Sequence, residues 1–173
     1  MKEPYKELVN NIYKNVRKFY KDNLISFVVF GSVARGSTNP YSDIDILIVS
    51  ENLPNGRTRR ILDFIERIEK PLKGKIRKLR EKGYFIEISP LIKKPEEVKI
   101  GGFIYLDMIE DAKIIYDKND FFKNFLDQLK NKLKKYGAKK VYKKGAYYWI
   151  IKEKVDIKEE IEIWIQMSWQ RKI

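Results

Sequence analysis

The 173-residue sequence contains no cysteine and no histidine. Without cysteine there is no disulfide framework, no thiolate nucleophile, no zinc ribbon and no iron–sulfur cluster. Without histidine there is no Ser-His-Asp triad and no imidazole base or metal ligand. Catalysis, if present, falls to carboxylates, hydroxyls, Lys, Arg, backbone amides or a hard metal ion held by oxygen. Glutamine is scarce, while Lys, Glu and Ile are abundant. That bias resembles proteins from hot environments, and an A/T-rich genome gives the same bias. No apolar run approaches the ~18 residues of a membrane span. Residues 1–5 open directly into a charged amphipathic segment, so the expectation is a cytoplasmic protein without a signal peptide.

What is there is basic and globular. Lys and Arg number 37 against 24 Asp and Glu, a formal charge of +13, and 43% of residues are hydrophobic. The length fits one compact domain with an appendage.

Tyr5, Leu8, Ile12, Val16 and Phe19 recur at helical spacing. The run LISFVVF (24–30) reads as a buried strand, residues 31–41 as a loop with room for one helical turn, and residues 43–49 as a second strand. Ile61, Leu62, Ile65 and Ile68 predict another helix, broken or kinked at Pro71 and continued by Leu72, Ile76 and Leu79. Residues 84–89 predict a third strand stopped at Pro90. Short helices are expected from Pro95 and over 103–109, and a brief strand over 113–116. Phe122 to Tyr136 is again helical in spacing, with Gly137 as its C-cap. Residues 141–151 read as a strand or extended hairpin around Gly145, and residues 157–173 as either strand or helix. Strands alternating with helices place residues 1–117 in the α/β or α+β class. Residues 118–173 form a helix and an aromatic extension packed on that domain.

The chemistry concentrates in FGSVARGSTNPYSDIDILIV, residues 30–49. Asp43 and Asp45 leave the same face of a strand, their Cα atoms about 6.5 Å apart. Ile44, Ile46 and Ile48 point the other way, into a core. Two adjacent carboxylates repel each other and call for Arg or Lys, a shared proton or a metal. An all-oxygen set suits Mg²⁺. Gly31 lets the chain turn sharply after a buried strand and expose amides. Ser32 adds a hydroxyl, and Arg35 a guanidinium fork for phosphate oxygens. The glycine spacing from Gly31 to Gly36-Ser37-Thr38 is that of a P-loop, but Ser37 stands where the phosphate-binding Lys belongs, so that reading fails. Each feature alone is an ordinary turn, strand start or surface charge; together they are specific.

Gly31-Ser32, then Ala34-Arg35-Gly36, then Ser42-Asp43-x-Asp45 at the head of a strand resembles the signature of the nucleotidyltransferase superfamily that includes DNA polymerase beta. It is most similar to the small minimal nucleotidyltransferases of prokaryotes, and more distantly to the aminoglycoside nucleotidyltransferases. The resemblance implies a mixed sheet flanked by helices. It also implies a triphosphate on Gly31, Ser32, Arg35 and Ser42, and two Mg²⁺ ions on Asp43 and Asp45. A third acid on a neighbouring strand completes the family's metal site. Glu87 is the only acid in the third predicted strand, and its neighbours Ile86 and Ile88 point to the other, core face, so it is the candidate. The family more often carries Asp at the place of Glu87; Asp107, expected on a helix, is a weaker candidate.

The resemblance implies transfer of a nucleoside monophosphate from an NTP to an acceptor hydroxyl, with release of pyrophosphate. The acceptor is RNA, a partner protein or a small molecule. Minimal members often modify a protein encoded beside them, as the antitoxin half of a pair. A different class of function is a non-catalytic nucleotide- or RNA-binding module on the same fold. Residues 57–82 carry 11 basic against 4 acidic side chains, and residues 118–144 carry 10 against 2. These basic helices, the second leading to Tyr142, Tyr147, Tyr148 and Trp149, form either an acceptor surface or a lysine-rich solvated face. Trp164 and Trp169 are expected to pack.

Overall fold

The computed structural model describes residues 1–143 and 146–151. The expectations for residues 157–173, Trp164, Trp169 and the turn at Gly145 lie outside the described residues. The central sheet has four strands in the order β3-β2-β1-β4. They are β1 (Leu24–Phe30), β2 (Ile44–Ser50), β3 (Ile88–Lys93) and β4 (Lys113–Asp117). β1 is antiparallel to both β2 and β4, whereas β3 runs parallel to β2. The sheet is therefore mixed, as the resemblance implied.

Helix α1 (Tyr5–Tyr20) covers one face. Tyr5, Leu8, Ile12 and Val16 pack there with Phe27, Val29, Ile44, Ile46, Ile48, Phe64 and Ile68. Phe19 is exposed and Tyr20 is buried in its place, because Tyr20 lies one helical step past Val16. The opposite face carries Val28, Leu47 and Val49 under Tyr105, Met108, Phe122 and Leu126. Those last four come from α6 (Ile104–Asp111) and α7 (Phe121–Lys135). Alternation along β2 thus sends Ile44, Ile46 and Ile48 to one layer, and Asp45, Leu47 and Val49 to the other.

The helical stretch between β2 and β3 runs as α3 (Arg57–Phe64), a wide turn over Ile65–Glu69, a tight turn over Lys70–Leu72 and α4 (Lys73–Glu81). Pro71 sits in the tight turn, where its missing N–H and ring force the change of winding. Asn15 of α1 donates a hydrogen bond to the Ile68 carbonyl at 3.0 Å beside this irregularity. Leu62, expected on the apolar stripe, is exposed, and Phe64 is buried instead. Arg60 is buried as well. Its guanidinium meets Glu97 at 2.6 Å and the Ile92 carbonyl at 3.1 Å, and its Nε meets the Pro54 carbonyl at 2.8 Å, so no donor group is stranded on that side.

The third strand begins later than the sequence indicates. β3 spans Ile88–Lys93 and contains Pro90, rather than stopping at it. β3 is an outer strand of the sheet, and an outer strand tolerates a residue without N–H. The short helix α5 (Pro95–Lys99) follows. Asp117, at the end of β4, caps α7: its carboxylate accepts from the Phe122 and Lys123 amides at 3.0 Å and from the Ser26 hydroxyl at 2.6 Å. Beyond α7, β5 (Lys139–Lys143) and β6 (Ala146–Ile150) form an antiparallel hairpin. The Lys140 ammonium joins it to Glu110 of α6 at 3.0 Å.

Candidate active site

Three strand ends converge on one edge of the sheet. Phe30, the last residue of β1, pairs with Asp45 of β2. The chain then turns at Gly31 into the single-turn helix α2 (Gly31–Arg35). Gly31 has φ +69°, and a Cβ there would lie 3.2 Å from Asp45 Cγ and closer still to Asp45 Oδ2. Two independent constraints therefore require glycine: a left-handed backbone and the space taken by a carboxylate. Val33 and Ala34 are buried and fix α2 against the sheet.

Asp43 is exposed and Asp45 half-buried. Burial, reinforced by the negative charge of Asp43, pushes the Asp45 carboxyl above the usual carboxylate range, and Arg35 pulls it partly back. Arg35, at the end of α2, donates from Nη1 to Asp111 Oδ2 at 3.3 Å. Asp111 was not foreseen. It lies 76 residues from Arg35 in sequence, at the end of α6, and no local pattern links the two.

Ser32 stands in the first turn of α2, and its carbonyl accepts from the Gly36 and Ser37 amides at 3.0 and 3.1 Å. The hydroxyl of Ser42 is turned inward and accepts the Asn39 N–H at 2.9 Å. The Asn39 carbonyl accepts the Ser42 N–H and the Tyr5 hydroxyl. The Asn39 side-chain oxygen takes the Tyr41 N–H at 2.8 Å. Residues 39–42 are thereby braced from α1, directly ahead of Asp43.

β3 extends the site. Ile44 pairs with Ile88 and Asp45 with Ser89. The Ile44 N–H also donates to the Glu87 carbonyl at 2.9 Å, one step beyond the strand. The ladder ends there, and ahead of it the Phe85 N–H donates to the Pro40 carbonyl at 2.7 Å. Glu87 is exposed and precedes β3 instead of lying within it. Among the described residues no group of three acidic side chains is close enough to hold a cation. Asp43 and Asp45 stand together at the head of β2, and Glu87 lies one residue ahead of β3. The late start of β3 leaves its side chain in solvent.

The pair itself suits a divalent cation. Its donors are all carboxylate oxygens, and the half-buried member is charged only against the cost of burial and of its neighbour. A cation between them relieves both penalties.

The family model for the nucleotidyltransferase domain matches residues 9–101, which span β1, α2, β2 and β3 and hence every strand end just described. The chain belongs to the nucleotidyltransferase family. It is similar to a Methanocaldococcus jannaschii protein that carries the inferred name protein adenylyltransferase. The two are 31% identical over 142 residues, which cover 75% of this chain and 86% of that one. Among solved structures, the nucleotidyltransferase is similar to a toxin–antitoxin chain crystallised with AMP-PNP. The TM-score is 0.47 at 16% identity, over 71% of this chain and 84% of that one. It is also similar to a spectinomycin adenyltransferase from Enterococcus faecialis with ATP and spectinomycin. That TM-score is 0.47 at 20% identity, over 68% and 58% of the two chains. Among its described residues the nucleotidyltransferase has no helix long and apolar enough to cross a membrane.

Proposed function

We propose that this nucleotidyltransferase transfers the adenylyl group of ATP to a side-chain hydroxyl of a protein, releasing pyrophosphate. The choice of ATP and of a protein acceptor rests on the likeness to the M. jannaschii relative named protein adenylyltransferase. The observation that carries the reaction class is the Asp45 carboxylate seated over Gly31, with Asp43 beside it just ahead of β2 and Arg35 acting on it from α2.

Gly31 and Ser32, with the Arg35 guanidinium, would hold the two outer phosphates of the nucleotide. Asp43 and Asp45 would hold Mg²⁺, in two ions. Bound there, the metal neutralises phosphate charge and lowers the pKa of the acceptor hydroxyl. The acceptor oxygen forms a bond to the α-phosphorus while the bond from that phosphorus to the bridging oxygen of pyrophosphate breaks. Glu87 would help hold the second ion or take the hydroxyl proton, since the chain has no histidine. Residues 1–117 would carry this site, with residues 118–173 as its C-terminal extension. The basic stretches 57–82 and 118–144 would face the acceptor.

The test is incubation of the purified protein and cell extract with α-labelled ATP, GTP, CTP and UTP, with and without Mg²⁺. Metal-dependent label on a protein band from ATP, lost in Asp45→Asn, supports the reading. Equal labelling by the Asp45→Asn variant refutes it. A binding module without turnover would keep nucleotide affinity and release no pyrophosphate.

A further inference from the structure

Tyr41 and Phe85 form the least explained feature near the site. Their rings are parallel within 6°, with centroids 5.3 Å apart. Both are exposed, Tyr41 at 71% and Phe85 at 45%. Neither hangs on a loose loop. The Tyr41 amide is held by Asn39 Oδ1, and the Phe85 amide donates to the Pro40 carbonyl at 2.7 Å. A rigid pair of rings left in water is costly unless something covers it.

Position says what that is. Tyr41 and Phe85 each stand two residues ahead of Asp43 and Glu87, on the segments that lead into β2 and β3. They stand at the β2–β3 corner, away from Gly31 and Ser32 at the end of β1. In a displacement at phosphorus the acceptor enters opposite the leaving group. With pyrophosphate over Gly31 and Ser32, the acceptor comes from the β2–β3 corner. The chain reaching Phe85 supplies the charge of that corner. Lys78 and Arg80 of α4, and Lys82 just beyond it, are exposed, and α4 passes through Gly83 into residues 84 and 85.

We propose that the Tyr41–Phe85 stack and the cationic end of α4 form the docking face for the acceptor, and that the acceptor is a protein segment with acidic residues around its hydroxyl. The rings cover an apolar or ring-bearing residue beside that hydroxyl, and the α4 cations meet the acids. This rests on the reaction proposed above. The chemistry is unchanged: the acceptor oxygen gains the adenylyl group, pyrophosphate leaves, and the hydroxyl proton is given up to Glu87 or water.

The experiment uses the full chain with α-labelled ATP and Mg²⁺. Three acceptor probes are compared: a glutamate–tyrosine copolymer, a lysine–tyrosine copolymer and single-stranded oligoadenylate. The expected result is labelling of the acidic copolymer about fivefold or more above the other two. Tyr41→Ser and Phe85→Ser should raise the KM for that copolymer about fivefold, with the KM for ATP within about twofold. The triple variant Lys78→Glu, Arg80→Glu, Lys82→Glu should do the same. The charge-matched control Lys14→Glu, Lys18→Glu, Lys99→Glu, at exposed positions on α1 and α5, should not. The proposal is overturned if oligoadenylate is the labelled probe, if no probe is labelled, if the KM for ATP rises in step, or if the control on α1 and α5 matches the α4 variant. Persistence of labelling in Asp45→Asn would instead sink the underlying reaction.

Discussion

The Asp45 carboxylate occupies the space in which any side chain at position 31 would begin. Replacing Gly31 by Ala would force a Cβ to within 3.2 Å of Asp45 Cγ and place a substituted residue at φ +69°. The backbone cost is about 1–2 kcal/mol, and the displaced carboxylate leaves the site. Gly31→Ala should lower transfer at least ~100-fold while lowering Tm only modestly. Gly36→Ala has a similar φ, +78°, but open space around it. It should show the same modest loss of Tm with most activity retained, and comparing the two variants separates backbone strain from displacement of Asp45.

Asp45 also links catalysis to stability. Its carboxyl is raised by burial first and by Asp43 second. A raised carboxylate binds its proton more tightly folded than unfolded, so stability is intact at low pH and falls as pH climbs through the window up to the folded pKa. Asp45→Asn removes that penalty. It should therefore raise Tm at about pH 7, with the gain vanishing at about pH 3, and abolish transfer. Adding Mg²⁺ should raise the Tm of the wild type by mass action and leave Asp45→Asn unmoved. A metal-induced shift of equal size in both proteins would show the cation binding elsewhere.

The contact between Arg35 and Asp111 predicts a discrimination between nucleotides. Arg35 is 37% exposed and Asp111 24%, so the pair adds little stability, on the order of 0–1 kcal/mol. What Asp111 supplies is a fixed place for the guanidinium. Arg35→Ala should weaken ATP about tenfold or more and AMP hardly at all, since only ATP has the outer phosphates. Asp111→Asn should follow the same pattern less strongly, measured by calorimetry with both ligands. Parallel losses for ATP and AMP would mark Arg35 as structural.

Arg60 and Glu97 hold α3 to the β3–α5 connection. Burial alone would raise the Glu97 carboxyl. The Arg60 hydrogen bond, the Lys94 amide and the charge of Arg60 outweigh it and bring it below the usual range. A lowered carboxylate stabilises above its unfolded pKa, and that contribution is lost as pH falls through the folded value. Arg60→Ala should cost about 2–3 kcal/mol at neutral pH by chemical denaturation, because it leaves Glu97 and two carbonyls without their partner. The deficit relative to wild type should shrink in acid.

The motif and both strands around it were legible because their signals are local. β-branched residues fill β1 and β2, and Gly31, Asp43 and Asp45 lie within fifteen residues of one another. β3 was misplaced because Pro90 reads as a terminator in one dimension. That it falls on an outer strand is known only from strand order. The shift moved Glu87 out of the strand and into solvent. Arg60 at a buried position escaped notice since its partners come from residues 54, 92 and 97. The Tyr41–Phe85 pair was hidden for a related reason. Its two halves read separately as loop and strand, and only the folded chain, with the Phe85 amide on the Pro40 carbonyl, brings them together.

Pro90 has one more effect, on how copies of the molecule treat each other. An open row of peptide groups along β3 would invite a second chain to add its own strand, and successive additions lead to fibres. A missing amide hydrogen in the middle of that row interrupts the pattern any newcomer would have to match. Strand addition is disfavoured along the border nearest the reaction centre, which leaves the approach at Tyr41 and Phe85 to visitors of another kind.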